Sequence, residues 1–128
     1  MANIVRILLA EDNPADVYLI EEALREHGVA FELAVAHDGE QAIALVSETA
    51  RVFDVVLLDL NMPKRGGSEV LEMLQGTATP VIVLTSSDSP ADKSEAMRLG
   101  ATRYIRKPTG LDDFLAIGAT IKEIVGLR

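Results

Sequence analysis

Val5-Arg6-Ile7-Leu8-Leu9-Ala10-Glu11-Asp12-Asn13-Pro14-Ala15-Asp16 runs from an apolar stretch straight into two acids and a helix start. Ile7–Ala10 reads as a parallel strand buried on both faces, because nothing in it alternates with polar residues. Asn13 offers an N-cap, Pro14 suits the first helical position and Asp16 places an acid at the third. The pattern recurs where Val55-Val56-Leu57-Leu58 runs into Asp59. Each acid therefore stands at a strand's C-terminal end, the edge where open α/β sheets build their sites. Three acids gathered there would repel one another unless something positive came between them.

Working outward, short apolar runs alternate with amphipathic stretches along the whole chain. Strands are expected at Val5–Ala10, Glu32–Ala36, Asp54–Leu58, Val81–Leu84 and Tyr104–Arg106. The third and fourth are the most continuously apolar and should be central. Ser89-Pro90-Ala91-Asp92 repeats the first helix start, and Thr109-Gly110-Leu111-Asp112 is similar without the proline. Asp38 with Gln41 should cap Gly39–Glu48, and a short helix should cover Ser68–Leu74. Gly28, Gly76 and Gly100 stand where helices should end. The expectation is α/β: a doubly wound (βα)5 sandwich of three layers around a five-stranded parallel sheet, with right-handed crossovers placing helices on both faces.

The 128 residues favour one domain, 1–128, with no fused output domain expected. The chain has no cysteine, so no disulfide, thiolate nucleophile or zinc–cysteine site is available. Its net charge is −8 and no Lys/Arg cluster appears, which argues against direct nucleic-acid binding. No apolar stretch approaches the ~20 residues of a membrane span, and the first residues lack a signal peptide's features. A cytoplasmic location is expected.

In this topology the loops after strands one, three, four and five meet at one edge. They bring Glu11 and Asp12, then Asp59 and Asn61, then Thr85, Ser86 and Ser87, then Lys107 and Pro108. Clustered carboxylates with oxygen-only neighbours suit a hard cation, with Mg²⁺ the natural candidate and Mn²⁺ possible. Lys107 supplies a point charge for an anion and Thr85 a hydroxyl donor. Acids, cation, lysine and hydroxyl together describe phosphoryl transfer to a carboxylate, which needs mainly positioning and charge neutralisation.

With these residues assembled, the chain resembles the receiver domain of two-component response regulators, a CheY-like, flavodoxin-like fold. The resemblance rests on Leu9-Ala10-Glu11-Asp12-Asn13, Leu58-Asp59-Leu60-Asn61-Met62-Pro63, Leu84-Thr85-Ser86 and Lys107-Pro108, in order and at receiver spacing. It implies strand order 2-1-3-4-5 and Asp59 as the phosphoacceptor. It implies Asp12 and Asp59 as Mg²⁺ ligands, Glu11 acting through water, and Asn61 offering its backbone carbonyl. Thr85 and Lys107 would bind the phosphoryl group, Tyr104 would be the aromatic switch, and Pro108 would follow a cis peptide bond. The implied partner is a sensor histidine kinase or His-phosphotransfer protein. The Asp12-to-Asp16 start and the Leu60-to-Lys64 stretch look most like stand-alone regulators paired with bacterial phytochromes. Gly66 departs from the family's usual acidic or polar residue, so a more flexible loop is expected there; Gly67 matches the usual turn glycine.

Blander readings apply elsewhere. Asp54 starts the third strand, about 17 Å from Asp59 at the opposite edge. Asp38 is a cap, and Lys93 and Lys122 are solvated helix charges. Nothing marks His27 or His37 as ligands. The last helix carries a wide apolar stripe, and its excess, at Leu111, Leu115 or Ile124, could serve a homodimer through the fourth helix, fifth strand and fifth helix. Two other functions use similar parts. A phosphatase of the haloacid-dehalogenase type wants an Asp where Asn61 stands, and Asn cannot be its general acid. An FMN-binding flavodoxin wants a Ser/Thr/Gly-rich first loop, not Glu11-Asp12-Asn13.

Overall fold

Val5–Ala10 (β1), Phe31–Ala36 (β2), Val55–Leu58 (β3), Val81–Thr85 (β4) and Arg103–Arg106 (β5) pair in parallel, in the order β2-β1-β3-β4-β5. The coordinates are a computed structural model describing residues 4–48, 52–62 and 66–126. The helices are Pro14–Glu26 (α1), Gly39–Ser47 (α2), Gly67–Leu74 (α3), Pro90–Arg98 (α4), Leu111–Leu115 (α5) and Ile117–Ile124 (α6). Among the described residues, no helix is long and apolar enough to cross a membrane.

Alternate residues of the central strands feed two separate cores. Leu8, Ala10, Val56, Leu58 and Val83 pack with Val70, Leu71 and Ala96 beneath α2, α3 and α4. Ile7, Leu9, Val55, Leu57, Ile82 and Leu84 pack with Ile20, Leu24, Phe114, Ile117 and Ile121 beneath α1, α5 and α6. Both faces of β3 and β4 are thus covered, which is why those runs show no polar alternation. Each fully buried leucine is worth about 1.5–3 kcal/mol, and Leu8, Leu57 and Leu58 are each 0% exposed.

The helix starts follow their caps. Asn13 accepts from the Ala15 N–H at 2.9 Å, Asp38 from Gln41 at 2.8 Å and Ser89 from Asp92 at 3.4 Å. Thr109 does not serve this way, because α5 begins one residue later with Gly110 as its cap and no side-chain bond. Gly28, Gly76 and Gly100 end their helices at φ of 68°, 79° and 100°, which only glycine adopts without strain. Asp54 keeps to the far edge, where its carboxylate accepts from the Arg6 N–H at 2.8 Å.

The last helix differs most from expectation. It breaks at Ala116 into α5 and α6. Leu115's carbonyl accepts from His27 Nε2 at 3.1 Å, and Ala119 N–H turns to the Ala116 carbonyl at 3.0 Å. A carbonyl can only accept, so His27 carries its proton on Nε2. Beside it, a side chain on Gly118 would collide with the Ala23 carbonyl and the His27 ring, so α6 approaches α1 at backbone distance. Of the three candidate surface residues, Leu111 is 60% exposed, while Leu115 and Ile124 are half-buried and Ile124 packs on the core. Pro63, Lys64 and Arg65 lie outside the described residues, so of the flexible loop expected at Gly66 the stretch before it is not described; Gly66 itself is the N-cap of α3.

Candidate functional site

The C-terminal edge holds the acids where the strand ends put them. The Glu11 and Asp59 N–H groups continue the sheet pairing, donating to Ala36 and Ala10 carbonyls at 2.9 and 3.0 Å. Both side chains are consequently buried, Glu11 at 1% and Asp59 at 5% exposure, while Asp12 faces solvent. One carboxylate oxygen from each of Glu11, Asp12 and Asp59 lies within 4.8 Å of the others.

What comes between these charges is Lys107. Its Nζ lies 2.8 Å from Glu11 Oε1, 2.8 Å from Asp16 Oδ2 and 3.1 Å from Asp59 Oδ2. Three strand spacings, about 14 Å, separate β5 from β1, so the loop after β5 and the lysine's four-carbon stem must close that gap. The remaining oxygens are also satisfied: Glu11 Oε2 accepts from Asn13 N–H at 3.2 Å, and Asp59 Oδ1 from Asn61 N–H at 3.0 Å. Among the described residues, no buried side-chain polar atom lacks a partner.

Burial pushes the Glu11 carboxyl up to about 7, against the pull of Lys107, and Asp59 adds like-charge repulsion. Burial alone would lower Lys107, yet hydrogen bonds to Asp16, Glu11 and Asp59 raise it above its ordinary value. The lysine is therefore a permanent cation, and the acids outnumber it. That surplus of hard oxygens fits a divalent cation such as Mg²⁺ or Mn²⁺.

Thr85 closes β4 fully buried. Its hydroxyl accepts from Asn61 Nδ2 at 3.2 Å and from Ser87 N–H at 3.4 Å. Tyr104, half-buried on β5, donates its hydroxyl to the Ser87 carbonyl at 3.1 Å. Ser87 in turn bonds Asp92 in the first turn of α4. A chain of contacts thus runs Asp59, Asn61, Thr85, Ser87, then Tyr104 and Asp92. The peptide bond before Pro108 corrects the expected cis geometry, since no cis peptide occurs among the described residues. Trans is the X–Pro default by roughly 0.5–1 kcal/mol, and Lys107 reaches the acids with it. Gly67 begins α3 because a Cβ there would sit 2.8 Å from Leu60 Cα and 3.0 Å from the Asp59 carbonyl.

One member of the site, Asp16, is absent from the strand-end pattern, and so is one contact of a member it contains, Asn61. Asp16 looked like a helix-start acid, and its place at the third position of α1, one turn past Glu11-Asp12, was the available signal. Asn61's side-chain link to Thr85 had no signal beyond its offset from Asp59.

A model of the response regulator receiver domain matches residues 7–118. The transcriptional regulatory protein CpxR of Klebsiella pneumoniae is 42% identical over 104 residues, covering 80% of this chain and 43% of that protein. TrcR of Mycobacterium tuberculosis is 35% identical over 114 residues, covering 88% of this chain and 43% of that protein. The chain thus spans less than half the length of these curated relatives. Among solved structures, the phosphorylated cyanobacterial phytochrome response regulator RcpA superimposes with a TM-score of 0.84 at 36% identity, covering 94% of this chain and 93% of that one. The Mn²⁺-bound response regulator Rcp1 gives 0.82 at 32% identity, covering 93% and 92%. With strand order, acidic edge and lysine all in place, the chain belongs to the response regulator receiver domain family of two-component signalling systems.

Proposed function

We propose that this chain is a phosphorylation-controlled signalling module in which Asp59 accepts a phosphoryl group from a phosphohistidine of a sensor kinase or phosphotransfer protein. The observation that carries the reading is the Lys107 ammonium held 3.1 Å from Asp59 Oδ2 at the C-terminal edge of the sheet. An ordinary structural ion pair would neutralise one acid; this lysine is surrounded by three.

Asp12, Asp59 and the Asn61 backbone carbonyl would hold Mg²⁺, with Glu11 acting through water. The cation supplies charge neutralisation for an incoming phosphoryl group. Asp59 supplies the attacking carboxylate oxygen: a P–O bond forms to it as the P–N bond to the donor imidazole breaks. Lys107 meets the phosphoryl oxygens as a point charge, and its proton stays on Nζ because its acidic neighbours raise its pKa. Such transfer draws on positioning and electrostatics rather than on a proton relay. Asn61, which donates to Thr85, provides no carboxylic acid for phosphatase turnover.

A phosphoryl group adds charge beside Thr85, which gives up Asn61 to bind it. Ser87, Tyr104 and the start of α4 then follow as a population shift. The affected surface is formed by α4, β5 and the last helix, and it would serve partner binding or a homodimer. The likeness to the cyanobacterial phytochrome response regulator RcpA supports a phytochrome-type kinase as donor.

Acetyl phosphate or beryllofluoride should add one adduct per chain by intact mass, only with Mg²⁺ or Mn²⁺, and none to Asp59→Asn. An adduct that survives in Asp59→Asn would overturn the assignment.

A further inference from the structure

Asp16 stands apart from the other acids around Lys107. Glu11 and Asp59 belong to the group whose oxygens converge within 4.8 Å; Asp16 does not. It sits on α1, in the first turn fixed by the Asn13 cap and Pro14. Its side chain is only 17% exposed, and it accepts from Lys107, 91 residues away. An acid that merely complements a helix dipole needs no such partner and would stay in water.

We propose that Asp16 is a positioning residue for transfer to Asp59: it tethers the Lys107 ammonium over the acceptor carboxylate. The inference rests on the phosphoacceptor reading of Asp59. An ammonium has three N–H bonds and no acceptor. Asp16 and Asp59 accept from it at 2.8 and 3.1 Å, and Glu11 Oε1 lies 2.8 Å away as an ion pair. Glu11 and Asp59 would turn toward a divalent cation held by the acidic group, and the ammonium would be repelled by it. A phosphoryl group on Asp59 then changes that acceptor again. Asp16 is the one acceptor outside both events, so it holds the lysine through them. Without it, four rotatable carbons let the charge swing into solvent, and its freedom must be lost again at each transfer. Because Asp16 and Asp59 share the same Nζ simultaneously, the tether does not compete with the acceptor.

The test is the rate of acetyl phosphate labelling of Asp59 at saturating Mg²⁺, so that changes in metal affinity do not intrude. Asp16→Ala should slow labelling roughly tenfold, and Asp16→Glu should recover part of the loss. In a Lys107→Met background, Asp16→Ala should change the residual rate less than about twofold, since coupled residues are not additive. Asp16→Asn, which keeps the shape and one acceptor oxygen, should fall between wild type and Asp16→Ala, and it carries the cycle if the alanine variant does not fold. Wild-type labelling by Asp16→Ala, or an equal loss with and without Lys107, would overturn the tether while leaving Asp59 as acceptor. No labelling of the wild type would overturn the acceptor reading and the tether together.

Discussion

Asn61 and Thr85, 24 positions apart, are joined by a hydrogen bond from Nδ2 to the hydroxyl at 3.2 Å. Asn61 also donates its backbone N–H to Asp59 Oδ1 at 3.0 Å. The end of β3 and the end of β4 are therefore mechanically connected through one amide side chain. Anything that pulls the Thr85 hydroxyl toward Asp59 strains this bond and the one from the Ser87 N–H as well.

Thr85→Ala should therefore keep its acceptor chemistry and lose its response. Beryllofluoride binding should persist, while amide-exchange changes in the β4–α4 loop and α4 should shrink well below wild type. A full wild-type exchange response in the variant would refute the chain of contacts through Thr85.

Lys107→Met should leave Glu11, Asp16 and Asp59 facing one another without their cation. Removing one partner of a buried pair typically costs about 3–5 kcal/mol, and Lys107 is 13% exposed at its side chain. Denaturation at pH 7 should show a loss of roughly 2–4 kcal/mol, smaller in Mg²⁺, because the metal replaces the missing charge. Metal affinity itself should rise, since a competing cation is gone. Weaker Mg²⁺ binding by Lys107→Met than by wild type would contradict this.

Glu11 should make metal binding depend on pH. Its carboxyl is raised from 4.5 in the unfolded chain to about 7, chiefly by burial. Between those values the folded protein holds a proton that the unfolded chain has lost. This group's contribution to stability is thus fully present below pH 4.5 and declines as pH rises toward 7. A metal site needs the carboxylate, so binding should release a proton below pH 7, and affinity should climb with pH to a plateau above it. Calorimetry at pH 6 in two buffers of different ionisation enthalpy checks this; identical binding enthalpies would rule it out.

Gly118→Ala places a Cβ against the Ala23 carbonyl and the His27 ring. Overpacking of this kind costs typically about 1–3 kcal/mol. The urea midpoint should fall with the slope unchanged, and beryllofluoride binding at the opposite strand ends should survive in folded protein. An unaltered midpoint would show that α6 can move away from α1 without loss.

Much of the fold was readable from local pattern. Val55–Leu58 announces a strand buried on both faces, and Asn13-Pro14 and Ser89-Pro90 announce helix starts. Strand limits shifted by a residue where the neighbour decided them: Arg103 joins β5 because it pairs in register with Ile82, and Thr85 joins β4 because it pairs with Arg106. The break at Ala116 was invisible, because nothing in Leu111–Ile124 shows that His27 will claim the Leu115 carbonyl. Asp16 is the helix-start acid its position predicts, and that sufficient local explanation gives no sign of its second partner, Lys107.

Local residue pattern is enough to set the alternation of strands and helices, the two-faced burial of β3 and β4, and the acids and lysine at one sheet edge. Those properties follow from residue spacing and from strands that all point the same way. It takes the folded chain to put Lys107 among Glu11, Asp16 and Asp59, to tie Asn61 to Thr85, and to let α6 meet α1 at Gly118. Such contacts join residues 24 to 96 positions apart, from Asn61 with Thr85 to Glu11 with Lys107. Their geometry depends on how crossovers and loops close over the sheet edge, and a pattern of neighbouring residues does not encode that closure.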